Sequence, residues 1–307
     1  MVFNSKKFNI FAGFTLILIA VIVGISVMGV SMVEKDVVTQ VEGSTSEGDT
    51  TLNQDETTSE EVIPEDETKV EEAGLKKLTS YFSNSWQALM YSLNLLEDYN
   101  HSISSTQMVE AGTMGITGVQ KINKNIYNVD GKSYIKAVAD GSKVPMNYGE
   151  NYTEFAVIDE TTIGIKRIGG DAISQSLTSY ENEYGIIPNA LPYLLNKTTI
   201  EKLSSLSNNP DLSYYEITAT LNAKAWNGYL KSIAKSGGEG SNPKMASIVL
   251  KIKIDKTYGT IKSVTATETY TINRMGMTAD AVSNINYNFT YCQDYSVKVA
   301  EIESGVK

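Results

Sequence analysis

Apolar residues recur at every second position through most of 246–297, and that period limits the chain to a strand-built fold. In MASIVLKIKID, Ala246, Ile248, Leu250, Ile252 and Ile254 face one way, while Lys251, Lys253 and Asp255 face the other. Tyr258-Gly259 turns the chain. Val264, Ala266, Tyr270 and Ile272 then share a face that Glu268 interrupts, opposite a ladder of Thr265, Thr267, Thr269 and Thr271. A final strand carries Ile285, Tyr287, Phe289, Tyr291, Tyr295 and Val297 on one side and Asn284, Asn286, Asn288, Thr290 and Cys292 on the other. Such alternation predicts an antiparallel sheet with one covered and one wet face.

Earlier segments supply more strands and the material to cover them. Leu75, Leu78, Phe82, Trp86, Leu89, Leu93 and Leu96 predict an amphipathic helix over 75–98, with His101 in a loop or cap just after it. TMGITGVQKINKNIYNV and KSYIKAVA flank Asp130-Gly131, a hairpin signal, and YTEFAVI and TTIGIKRI flank Asp159-Glu160. Residues 171–209 read as an insert with short helices at 188–195 and 198–208, the second suggested by Thr198 and Glu201 as a capping box. YYEITATL is a strand, and Asn222 caps a helix running to about Ser236. The glycine-rich loop at 237–243 lacks the spacing of a phosphate cradle. About eight strands are expected, in an α+β domain over 74–307.

The N-terminal part differs in kind. Residues 8–33 hold no charge, between Lys7 and Glu34. As a helix they extend roughly 39 Å, enough to span a bilayer core of about 30 Å with some tilt. Lys6 and Lys7 place 1–7 as a short cytoplasmic tail and the rest outside. The rival reading is a signal peptide cleaved near Gly29 and Ser31, which would leave a secreted domain. Residues 34–73 carry 14 acidic residues against Lys35 and Lys69, a net of −12, and no aromatic residue. They read as a disordered tether. With −12 there and +2 from Lys6 and Lys7, the overall −10 leaves 74–307 at zero. That balance argues against nucleic-acid binding.

The single Cys292 and single His101 rule out, within one chain, an internal disulfide, a multi-cysteine metal site and any histidine-based triad. Cys292, on the wet face, is expected to be a free thiol without a catalytic role. No carboxylate pair sits in a recognisable motif, so no catalytic, cofactor or metal residue is assigned and the chain is expected not to be an enzyme.

The order of elements resembles the half-barrel envelope proteins of the LolA/LolB and LppX/LprG type. The similarity lies in the helix over 75–98, the insert 171–209 and the hairpin IKIDKTYGTIKSVTATETYTI from Ile252. It implies a curved antiparallel sheet wrapped around helices, with an apolar ligand such as a lipid between them. One departure is that no cysteine follows the apolar stretch for lipid attachment. The residues expected to line such a pocket are Trp86, Leu89, Leu93, Phe155, Tyr193, Leu194, Trp226, Tyr287 and Phe289. The alternative is a surface interaction or sensory ectodomain that contacts other envelope proteins. It is distinguished by a filled core with an exposed aromatic patch.

Overall fold

The computed structural model describes residues 74–113, 116–141, 151–207, 209–236, 241–274 and 277–307. The tail 1–7, the apolar stretch 8–33 and the acidic segment 34–73 lie outside the described residues. Among the described residues no helix is long and apolar enough to cross a membrane.

The fold is α+β, built on one open antiparallel sheet of eleven strands. The first half is β1 (His101–Thr113), β2 (Ile116–Val129), β3 (Lys132–Asp140), β4 (Tyr152–Ile158), β5 (Thr162–Arg167) and β6 (Ile173–Ser176). The second half is β7 (Ile200–Leu203), β8 (Tyr214–Leu221), β9 (Asn242–Asp255), β10 (Ile261–Arg274) and β11 (Met277–Tyr291). Both halves are meanders, and β1 pairs with β11 to join them in the order β6-β5-β4-β3-β2-β1-β11-β10-β9-β8-β7. Among the described residues four α-helices accompany the sheet: α1 (Ser85–Asp98), α2 (Leu177–Tyr184), α3 (Asn227–Ser236) and α4 (Ser296–Val306).

The inner face is buried along its length, from Ile163 and Ala156 through Val109 and Ile285 to Leu250 and Ile217. Eleven strands at about 4.8 Å spacing span roughly 48 Å. The main core lies between this face and α1, α2, α3 and the segment 185–199.

Several elements depart from the sequence reading. The helix starts at Ser85, not 75, because Asn84 caps it by accepting from Gln87 N at 2.9 Å. Upstream, Leu78 N is committed to Thr257 O at 2.7 Å. His101 is no loop residue. It opens β1, is buried, and accepts from Asn128 Nδ2 at 2.8 Å while its Nδ1–H donates to Tyr99 O at 2.9 Å. β1 is hidden in the sequence because its inner face includes Ser105 and Gln107 while Met108 faces out.

Among the described residues the insert contains no helix at 188–195 or 198–207. Pro188 and Pro192 supply no amide donors, and Asn196 Oδ1 accepts from Thr198 N at 2.8 Å, closing a turn that leads into β7. The helix forms earlier, as α2, with Ser176 as its cap. The last strand ends at Tyr291, where Cys292 takes φ 53°, and the chain continues into α4. Val297 lies exposed on that helix, and Cys292 packs half-buried against the main core rather than pointing away from it.

α4 covers the outer face of the first meander. Ile302 packs with Tyr134 and Phe155 in a second, smaller cluster apart from the main core.

Candidate functional site

The inner face carries polar side chains where its alternation calls for apolar ones. Glu268 is fully buried on β10 between Ala266 and Tyr270. A carboxyl in that position must be hydrogen-bonded or neutral. Tyr193, from segment 185–199, donates to Oε1 at 2.5 Å, and Tyr229, from α3, donates to Oε2 at 3.2 Å. Ser283, opposite on β11, donates too, and its Oγ accepts from Gln107 Nε2 at 2.9 Å. Burial outweighs the donors and pushes the Glu268 carboxyl up to about 7. The two tyrosine rings meet edge to face at 5.8 Å.

Beside this cluster a space of about 40 Å³ remains between sheet and cover, lined by Gln107, Lys124 and Tyr287 below and Pro188, Tyr229 and Ser232 above. Lys124 comes from the inner face of β2. Burial lowers its ammonium to about 8, against the opposing charge of Glu154. Glu154 pairs with Arg167 across β4 and β5 at 3.4 Å. Room of this size holds a few water molecules. Pockets for drug-sized ligands run from about 300 to 1,000 Å³. A carboxyl near 7 suits proton transfer, but this space admits no substrate of that size. Among the described residues no group of three or more His, Cys, Asp or Glu is placed to hold a metal ion.

The second feature is an open cleft of about 540 Å³ at the turn end of the second meander. It arises from a register fault. β10 shifts against β9 between Ile261 and Ser263, and its pairing with β11 stops at Ser263–Asn288, while β11 runs on to Tyr291 beside β1. Ile261, Phe289 and Tyr291 form buried walls. Tyr214, Lys253, Tyr258 and Lys262 form the rim. Lys253 Nζ lies 4.5 Å from the centre of the Tyr214 ring, and Lys262 Nζ lies 3.5 Å from Asp255 Oδ2. Asp255 Oδ1 is occupied by the amides of Thr257 and Tyr258 at 2.7 and 2.8 Å.

An aromatic cluster adjoins the cleft. Phe82 packs against Tyr91 and Tyr215 with centroids 5.4 and 5.9 Å apart, and Tyr81 beside it is 79% exposed. Ser92 on α1 fixes the neighbouring turn, its Oγ lying 2.6 Å from Gly259 O. The hydrogen bond from Leu78 to Thr257 places the start of the described domain at this same end.

Of the nine residues expected to form one pocket, seven join the main core, and Phe155 and Leu194 do not. Leu89 and Trp226 are core residues, and Trp86 and Leu93 pack partly buried against that core. Tyr193 binds Glu268, and Tyr287 lines the small inner space. Phe155 faces the other side of the sheet, under α4, Leu194 is 59% exposed, and Phe289 walls the cleft. Glu268 could be found in the sequence as the lone acid on an apolar face. The cleft could not, because it depends on the Ile261/Ser263 shift.

No family model matches the chain, and no curated protein matches it. Among solved structures, the chain is similar to LprF from Mycobacterium bovis at 15% identity, covering 67% of this chain and 91% of that one, with a TM-score of 0.34. A second similarity, to an N-terminal dehydratase from the difficidin assembly line, has 10% identity over 75% and 96% of the two chains and a TM-score of 0.13. Likeness at these scores establishes neither a family nor a ligand. The resemblance read from the sequence is matched only as a large antiparallel sheet bearing helices.

Proposed function

We propose that this chain is an extracytoplasmic binding protein without catalytic activity, anchored by residues 8–33 and set off from the bilayer by 34–73. We further propose that it meets its partner through the cleft rimmed by Tyr214, Lys253, Tyr258 and Lys262. The observation that carries this reading is the contrast in free space: about 40 Å³ inside the covered layer against about 540 Å³ in the cleft. The exposed Tyr81 and the neighbouring rings of Phe82 and Tyr91 add the kind of surface that aromatic-rich contacts use.

The test is a photo-cross-linking side chain placed in the full-length protein, in the cells that make it, at Tyr258 and separately at Val138, which is exposed on the outer face. Specific products at position 258 and none at 138 support the cleft. Equal yields at both positions, or none at 258, count against it.

A second reading, an apolar ligand such as a lipid between sheet and helices, is favoured by one observation. The cover over the inner space includes the irregular segment 185–199, fastened there by Tyr193. A ligand of acyl-chain size would have to lift that segment. Adding a fatty acid to the protein would then speed amide exchange across 186–195, and unchanged exchange would count against this reading.

A further inference from the structure

We propose that the cleft binds an acidic polysaccharide, with Lys253 and Lys262 holding its anionic groups and the rings of Tyr214 and Tyr258 carrying its sugar faces. This rests on the reading of the cleft as the contact site. The charge argument begins with Asp255. Its Oδ1 accepts two backbone amides in the turn and its Oδ2 faces Lys262, so this carboxylate is committed to structure. The cleft lining holds two lysines against that one acid, a net of +1.

Both ammonium groups are held in position, Lys253 over the Tyr214 ring and Lys262 beside Asp255. A ligand therefore loses less of its binding energy to ordering them. Ser263, which pairs with Lys253 on one side and Asn288 on the other, also lines the cleft, and its hydroxyl and the Asn288 amide donate and accept as a polyhydroxylated ligand requires. The volume falls within the usual range for ligand sites.

A peptide strand fits less well. Strand addition needs free backbone acceptors. Here Ile261 O already accepts from Tyr291 Oη at 3.1 Å, and Thr290 O accepts from Tyr295 Oη at 2.8 Å. The acidic segment 34–73 repels polyanions at long range, and physiological salt screens charges beyond about 8 Å. Contacts inside the cleft are affected less.

The experiment uses the purified full-length chain in a nonionic detergent at physiological ionic strength. Binding is measured to immobilised polygalacturonate, with dextran and dextran sulfate as neutral and strongly charged comparisons. Vesicles of phosphatidylglycerol form a fourth arm. The expected result is retention on polygalacturonate but not dextran. Lys253→Ala with Lys262→Ala should weaken it at least about tenfold, the loss of charge-assisted hydrogen bonds. Tyr258→Ala should weaken it several-fold. Lys253→Met, which keeps most of the stem without the charge, guards against loss of packing, and thermal unfolding verifies that each variant is folded.

No retention on polygalacturonate overturns the proposal. So does tighter retention on dextran sulfate that is indifferent to Tyr258→Ala, since that is charge attraction alone. Binding to the vesicles only overturns it in favour of a membrane surface. If cross-linking at position 258 still captures a partner while polygalacturonate fails, the ligand class falls and the cleft stands. If neither responds to the cleft variants, both fall.

Discussion

Tyr193 Oη donates to Glu268 Oε1 at 2.5 Å, joining an irregular covering segment to the middle of β10 across 75 residues of sequence. Tyr229 binds the other oxygen from α3, so one buried carboxyl holds two separate pieces of the cover. The inner layer is closed at the point where the sheet's alternation breaks.

That carboxyl makes stability depend on pH. The folded-state value near 7 lies above the ordinary 4.5, so the folded protein holds a proton that the unfolded chain gives up. The stabilisation is complete below about 4.5 and is lost as pH rises through 7, on the order of 3 kcal/mol in all. His101 runs the other way, because burial lowers its value. The readout is therefore the difference between the parent and Glu268→Gln in denaturant unfolding at pH 5 and pH 8. The parent should lose stability relative to the variant as pH rises. Parallel curves would show that Glu268 does not titrate in this range.

Removing the fastening should loosen the cover before it unfolds the sheet. Tyr193→Phe deletes one donor to Glu268 and is expected to cost about 1–3 kcal/mol. Amide exchange should quicken across 186–195 and not in β10. A uniform change over both would mean that the bond contributes only to global stability.

Gly259 is required by its conformation and by its neighbours. Its φ is +75°, and a Cβ there would sit 2.6 Å from the Tyr91 ring. Gly259→Ala should cost about 1–3 kcal/mol in unfolding experiments and disturb the cleft through Tyr258. A variant as stable as the parent would contradict the turn geometry.

The outer cluster predicts a separate effect. Ile302→Ala removes a fully buried side chain from beneath α4 and should lower stability by about 2–4 kcal/mol. It should leave any activity at the cleft unchanged, since α4 packs on the first meander. A loss below about 0.5 kcal/mol in chemical denaturation, typical of surface sites, would show that α4 is not docked there.

Much of the sheet was legible because its strands alternate cleanly. Ile248 through Ile254 and Ile285 through Phe289 point inward as the sequence implies. β1 was not legible, since Ser105 and Gln107 are buried by partners 19 and 176 residues away, Lys124 and Ser283. β6 and β7, four residues each, carry too few alternations to register. The helical insert failed where Asn196 and the two prolines set local turns against a generic capping pattern. Phe155 looked like a pocket residue because alternation cannot tell which face a second helix will cover. That depended on α4, which forms only after Cys292 breaks the last strand.

The central claim is that the covered layer is closed and that binding takes place outside it. The direct measurement is the native mass of the full-length chain, purified in mild nonionic detergent, together with organic extraction of the same sample. A mass equal to the polypeptide, with no stoichiometric apolar molecule in the extract, is the predicted result. One tightly held lipid per chain, retained through exchange into fresh detergent, would contradict it.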